Sequence, residues 1–513
     1  MPNFSDCDFP PLRQESIPRK RRTDADVGRA SGAPASITDL PNELLLAILQ
    51  YLPGIDLDNF QLPTLVSLSR VNRRFHDLVA AELYATYNSF FCEPYLFLRS
   101  IISNADLARR VRHVDITYGE NAHEQRKRYV ANAQDKKAIK DGLRASGIAD
   151  WKTLASLYNT DHVELESVYA AIIMQTPKIV SMIVHDGWLG SYGESRNPDW
   201  VDLFRRANSR TSPGLMHKFE NLRSLTVELL ELKLIALAPA LRTPSLRKLT
   251  LKGLVEFEYG GKSVAQVIQK LIPSRCNNIE ELCIKQSILQ NNILAVVVGA
   301  SQHLRVFSYD ITLDNVGEAF DLGQLGSKTL TAALESQSDS LESLVFLKDR
   351  GATEDLPPMF DLCGSLRGFS SLAHLKCQLE SIAGDGISAA TLPQRLPPAL
   401  KTMNLSLSNH SGPDTFDPLL GLKHLSSSYT TRTPHLQEIR LVAEDIVYSG
   451  RFYDYAGTVA LFSRTDIKFI LGRNVLFDDS WTPQRTAGWG FHAVPDDEVT
   501  SESSGEISLY SNN

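Results

Sequence analysis

Between Leu222 and Leu441 the chain repeats one phrase: an apolar residue, two variable ones, an apolar residue, one variable residue, and a further apolar residue. Leu222-Arg223-Ser224-Leu225-Thr226-Val227 and Leu246-Arg247-Lys248-Leu249-Thr250-Leu251 are clear copies. Others start at Ile279, Leu304, Leu341, Leu372, Leu400 and Leu436, and weaker ones at Val111 and Ile179. Ile467 and Ile470 mark a last one. Side chains alternate across a strand, so the fourth and sixth residues of a phrase point to the same side. Successive clear starts lie 24, 33, 25, 37, 31, 28 and 36 residues apart. A unit of that size cannot bury an apolar face alone, whereas stacked units share a continuous core. The phrase therefore predicts short strands in an array. Helical or looped returns are expected between them, over Val264–Leu271 and Ile288–Val298 among others.

The remaining composition narrows the function classes. The 513 residues exceed what one core usually organises. A net charge of -7 does not suit a general nucleic-acid binder. Cys7, Cys92, Cys276, Cys283, Cys363 and Cys377 are scattered, with no pairs at metal-ligand spacing, which points to a reducing compartment. No run of about 18 apolar residues occurs, so no membrane span is expected. The expected location is cytoplasmic, nuclear or both.

Along the chain, residues 1–36 read as a disordered leader containing the basic run Arg19-Lys20-Arg21-Arg22. A helical module occupies 37–84 and the array 85–475, with a helical insertion at about 120–175. Residues 476–495, with Trp481 and Trp489, read as a C-terminal cap, and 496–513 as a disordered acidic tail.

In the module, Pro41 suits the first turn of a helix and Glu43 its positive end. Leu44, Ile48, Leu49 and Leu52 form one helical face before Pro53-Gly54 ends it. Thr64 is expected to cap a second helix carrying Leu65, Leu68 and Val71. A third carries Phe75, Leu78, Val79 and Leu83.

The stretch Leu40-Pro41-x-Glu43-Leu44-x-x-x-Ile48-Leu49-x-x-Leu52-Pro53, followed by Val71-Asn72-Arg73-Arg74-Phe75-x-x-Leu78, resembles the F-box. An insertion from about Gly54 to Leu62 departs from the family pattern. The resemblance implies helices that pack on a Skp-type adaptor, and through it a cullin–RING ubiquitin ligase. It implies adaptor contacts at Leu40, Pro41, Leu44, Ile48, Leu52, Pro53 and Leu65. Leu49, Val71, Phe75 and Leu78 are the alternative set that holds the module together, and spacing alone leaves both assignments open. An F-box ahead of loosely spaced leucine-rich repeats resembles many fungal F-box proteins. The expected class is thus α/β: a short helical module, then an irregular leucine-rich-repeat solenoid with a curved parallel sheet. The asparagine common after the strand in regular repeats is replaced by Leu230 and Leu254, so regular asparagine ladders are not expected.

The expected role is a substrate-recognition subunit with no catalytic machinery, no cofactor and no metal. The alternative is a repeat scaffold or adaptor without a ligase role, its first helices serving as a cap. Gly260-Gly261-Lys262-Ser263 ends like a phosphate loop, but Glu256 stands where the first glycine belongs. His123-Glu124 opens a zincin-like motif that Lys127 breaks. Strand positions between the buried residues should carry the substrate surface, with Lys248, Lys252, Lys285, His374 and Arg440 as candidate contacts to an unknown protein.

Overall fold

Each phrase forms the strand its alternation predicts. The computed structural model describes residues 37–50, 61–118, 129–145, 147, 151–159, 165–186, 199–208, 217–228, 232–256, 264–311, 329–348, 364–383, 391–407, 417, 419–443 and 455–473. The strands are β1 (Thr86–Asn88), β2 (His113–Tyr118), β3 (Ser181–Asp186), β4 (Ser224–Glu228), β5 (Lys248–Lys252), β6 (Val255–Glu256) and β7 (Glu281–Lys285). They continue with β8 (Ile288–Leu289), β9 (Val306–Ile311), β10 (Ser343–Lys348), β11 (His374–Gln378), β12 (Thr402–Leu407), β13 (Glu438–Ala443) and β14 (Lys468–Arg473). Twelve of them form one open sheet, and its order follows the chain from β1 to β14 with β6 and β8 set aside as a two-stranded sheet of their own. Every pairing is parallel, so helices or loops must return the chain to the same edge before each new strand. β1 does not carry the full phrase: register sets Tyr87 beside Val114, and the position that matches Ile116 of β2 is the polar Ser89.

Register aligns the phrases. Met182, Leu225, Leu249, Leu282, Phe307, Leu344, Leu375, Met403 and Ile439 lie in one row, two residues ahead of a second containing Val227, Leu251, Ile284, Tyr309 and Phe346. Both rows are buried and belong to one continuous hydrophobic core. Returns supply the opposite wall. The predicted helix Val264–Leu271 forms with those bounds, and Asn291–Gly299 forms after the short β8 takes up Ile288 and Leu289.

Between phrase and strand the backbone builds a second ladder. The Val180 N–H donates to the Arg112 carbonyl (2.7 Å), Arg223 to Val180 (2.7 Å), Arg247 to Arg223 (2.9 Å) and Glu280 to Arg247 (2.8 Å). Buried backbone groups between repeats are met by serine and glutamine side chains of the next repeat, and by Asn277, whose Oδ1 accepts from the Ile279 N–H at 3.2 Å. Ser287 Oγ accepts from the Leu254 N–H at 2.9 Å, and Gln337 Oε1 accepts from the Leu304 N–H at 3.0 Å. Gly253, with φ of 77°, makes the turn from β5 toward β6 in a conformation that strains any residue bearing a Cβ.

Among the described residues between β2 and β3 stand three helices, Ala133–Ala145, Trp151–Tyr158 and Leu165–Gln175. The last is buried along its length, so it is a core element. The first is tied down by Asp135, which accepts from Arg99 Nη1 and Tyr129 OH, both at 2.6 Å. Ahead of the sheet lie α1 (Asn42–Gln50), α2 (Gln61–Ser69) and α3 (Arg73–Leu83), and between β1 and β2 lie α4 (Pro94–Ser103) and α5 (Ala105–Arg110). α2 begins ahead of Thr64, so the predicted cap there is an interior residue. Asn72 caps α3 instead, accepting from the Phe75 N–H at 2.9 Å.

The leader with Arg19–Arg22, Leu52 and Pro53, the His123 and Gly260–Ser263 motifs, Trp481 and Trp489, and the acidic tail all lie outside the described residues. No described helix is long and apolar enough to cross a membrane.

Candidate functional site

The first surface is built by α1, α2 and α3. Helical spacing places Leu45 and Leu49 on one side of α1, 1% and 5% exposed, within the hydrophobic core. Leu44 and Ile48 fall on the other side and are 52% and 44% exposed. Leucine and isoleucine so exposed one turn apart mark a surface suited to a partner. Ile37 and Val71 are exposed as well. Arg74 fixes the start of α1: its Nε donates to Asn42 Oδ1 at 2.8 Å and its Nη2 to the Leu40 carbonyl at 2.5 Å.

Of the residues expected to meet an adaptor, Leu40 is half-buried, Pro41 exposed, and Leu44 and Ile48 exposed. Leu65 is different. It is 4% exposed and packs in the protein's own core, because α2 turns that side toward α3 and the sheet. Leu49 and Phe75 are also core residues, Leu78 is half-buried, and Val71 is exposed.

The second surface is the face of the sheet opposite the core. Lys248 and Lys252 share that face of β5, and register sets Lys285 of β7 beside Lys252. These three gather. His374 on β11 is three strands beyond β7, roughly 14 Å, and Arg440 two strands further, so neither joins them. Lys248 pairs with Glu281 at 3.1 Å, and Lys252 with Glu228 at 2.5 Å. His374 Nδ1 meets Thr402 Oγ1 at 2.9 Å, and burial holds its pKa below the usual value. Arg440 is 3.7 Å from Glu438, which also meets Lys468 at 3.1 Å.

Sequence inspection misses the most connected group on this face. His185 lies between two carboxylates, with Nδ1 2.8 Å from Glu228 and Nε2 3.5 Å from Asp115. Asn88 Nδ2 donates to Asp115 at 3.0 Å, which extends the chain of contacts from β1 to Lys252 on β5. The hydrogen bond to Glu228 raises the His185 pKa, with Asp115 adding to it against burial. Glu228 is held down at about 2, chiefly by the bond to His185. Asp115 moves up because it is buried. His185 lies in the weak third-strand copy that begins at Ile179, and its partners are 43 and 70 residues away along the chain. Only register brings them together.

Among the described residues, no group of three or more His, Cys, Asp or Glu side chains is placed to hold a metal ion. Among the described residues, Cys92, Cys276, Cys283 and Cys377 are in no disulfide.

No curated protein matches this chain. A sequence model of the F-box-like family matches residues 37–88, the segment that contains α1, α2, α3 and β1.

Proposed function

We propose that this protein is a substrate-recognition subunit of a Skp–cullin–F-box type ubiquitin ligase. The observation that carries the reading is the coincidence of an F-box-like match with an exposed apolar face at Leu44 and Ile48. In this reading the F-box-like helices dock a Skp-type adaptor with that face, and the sheet, read as an irregular leucine-rich-repeat solenoid, carries a protein substrate. The chain supplies proximity rather than chemistry, and effective concentration is how such a subunit speeds modification of its cargo. It works in the cytoplasm, the nucleus or both.

The test is co-expression of the full chain with a Skp-type adaptor. A complex is expected, and Leu44→Asp with Ile48→Asp is expected to abolish it by burying two unpaired charges. If the intact chain never co-purifies with the adaptor, the reading fails. One observation favours a second reading, a repeat scaffold capped by its first helices: Leu49, Leu65, Val79 and Leu83 share a core with the sheet. Capping uses the inner side of α1, however, and leaves the outer side available.

A further inference from the structure

All twelve strands of the large sheet run the same way, so every strand begins on one edge. Three arginines stand on that edge between β2 and β5. The backbone ladder sets Arg112, Val180, Arg223, Arg247 and Glu280 on successive strands about 4.8 Å apart. Arg223 and Arg247 are therefore direct neighbours, a placement that like charges disfavour.

The turn at Pro244–Leu246 accepts hydrogen bonds from both side chains. Arg223 Nη1 donates to the Ser245 carbonyl at 3.1 Å. Arg247 Nη1 donates to the Pro244 and Leu246 carbonyls at 2.9 and 3.0 Å. Two guanidinium groups are thus oriented by three consecutive carbonyls, with further N–H donors left over on each. Ser245 Oγ in turn donates to the Phe219 carbonyl at 2.6 Å, so the turns ahead of β4 and β5 are joined. Lys178, Lys218 and Arg242 are exposed in the turns around them. Opposing charge comes from Glu280, 3.4 Å from Arg247 Nε, from Glu281, which pairs with Lys248, and from exposed Glu220. This concentration of cations contrasts with a whole-chain charge of -7.

We propose that the strand-start edge around Arg223 and Arg247 is a docking surface for an acidic peptide segment of a protein partner. Guanidinium groups held in a fixed plane suit carboxylates, which they bind in a fork geometry. Interleaved Glu220, Glu280 and Glu281 repel a continuous phosphate backbone while leaving gaps for separated carboxylates, which favours a peptide over a nucleic acid. The proposal rests on the reading that the sheet carries cargo, and it names the chemistry of part of that cargo.

The experiment uses the full chain and a fluorescein-labelled peptide rich in glutamate, read by anisotropy at about 50 and 200 mM salt. Binding that weakens with salt is expected. Arg223→Glu with Arg247→Glu is expected to lose at least about tenfold in affinity, while Arg223→Lys with Arg247→Lys retains part of it. Lys218→Glu with Arg242→Glu, both on exposed turns, is expected to weaken binding without altering the melting temperature. Absence of peptide binding by the intact chain, equal binding by the reversed variant, or tighter binding of a single-stranded oligonucleotide of equal charge would each overturn the proposal. Adaptor capture run on the same variants separates the two readings. Peptide binding lost with the adaptor complex retained assigns the effect to this edge alone.

Discussion

His217 Nε2 lies 2.8 Å from the carbonyl oxygen of Ile173, across 44 residues of chain. The contact joins the turn before β4 to the buried helix Leu165–Gln175. His217 Nδ1 accepts from the Phe219 N–H at 3.2 Å, so the neutral ring with its proton on Nε2 satisfies both nitrogens. A second ring proton would face another N–H. Burial lowers the pKa of His217 accordingly.

That lowered pKa sets the sign of an acid effect. The neutral ring is favoured in the folded state, so its contribution is complete above the ordinary value of 6.5. It is lost as pH falls from there through the folded value. Thermal unfolding of the intact chain should show a melting temperature that drops below pH 6.5. His217→Gln should be less stable at pH 7.5 by about 1–3 kcal/mol and show a flatter slope in this window. An unchanged slope in the variant counts against the assignment.

His185 has the opposite sign. Its pKa is raised, so the stability it adds is fully present below 6.5 and fades as pH climbs through the folded value. Histidine NMR signals should show one ring titrating above 6.5, and Glu228→Gln should bring it down by removing the hydrogen bond that raises it. A His185 signal that stays in place in Glu228→Gln refutes the pairing. The contribution from Glu228 is lost only as pH falls from 4.5 toward about 2.

Neighbouring leucines of α1 should separate function from folding. Leu45→Ala removes a side chain 1% exposed in the core and should cost about 2–5 kcal/mol in urea unfolding. Leu44→Asp changes a side chain 52% exposed and should leave the unfolding midpoint within error while adaptor capture is lost. Equal destabilisation by both changes would show that the outer face is covered.

Gly142, in the helix Ala133–Ala145, marks a close approach to α4. A Cβ there meets the Ile102 side-chain methyl and lies 2.5 Å from the Ile102 carbonyl oxygen. Gly142→Ala should therefore destabilise by about 1–3 kcal/mol, despite alanine's better helix propensity. A stabilised variant would show that the two helices separate freely.

Much of the sheet is legible from the phrase because alternation is a local property. Leu225 and Val227 must share a side wherever they sit, and eight such pairs in order leave few arrangements other than stacked strands. β1 is not legible in this way because the polar Ser89 stands where the last apolar residue of the phrase belongs. The candidate lysines fall on the surface for the same local reason that the leucines fall inside. Their grouping does not follow from the phrase: Lys252 meets Lys285 because β5 pairs with β7, after β6 leaves the sheet.

By itself, the sequence determined which residues alternate, where the F-box-like segment lies, and that charge of both signs lines the sheet. Those properties depend on neighbours within a few positions. Only the tertiary structure decided which side of α1 is free, since Leu44 and Leu45 are both apolar and the packing of α1 into the core selects Leu45. The same holds for Leu65, taken up by the protein's own core. It holds too for the contacts of His185 and for the hydrogen bond from Arg223 to the Ser245 carbonyl, which exist because parallel register brings distant segments within hydrogen-bond reach.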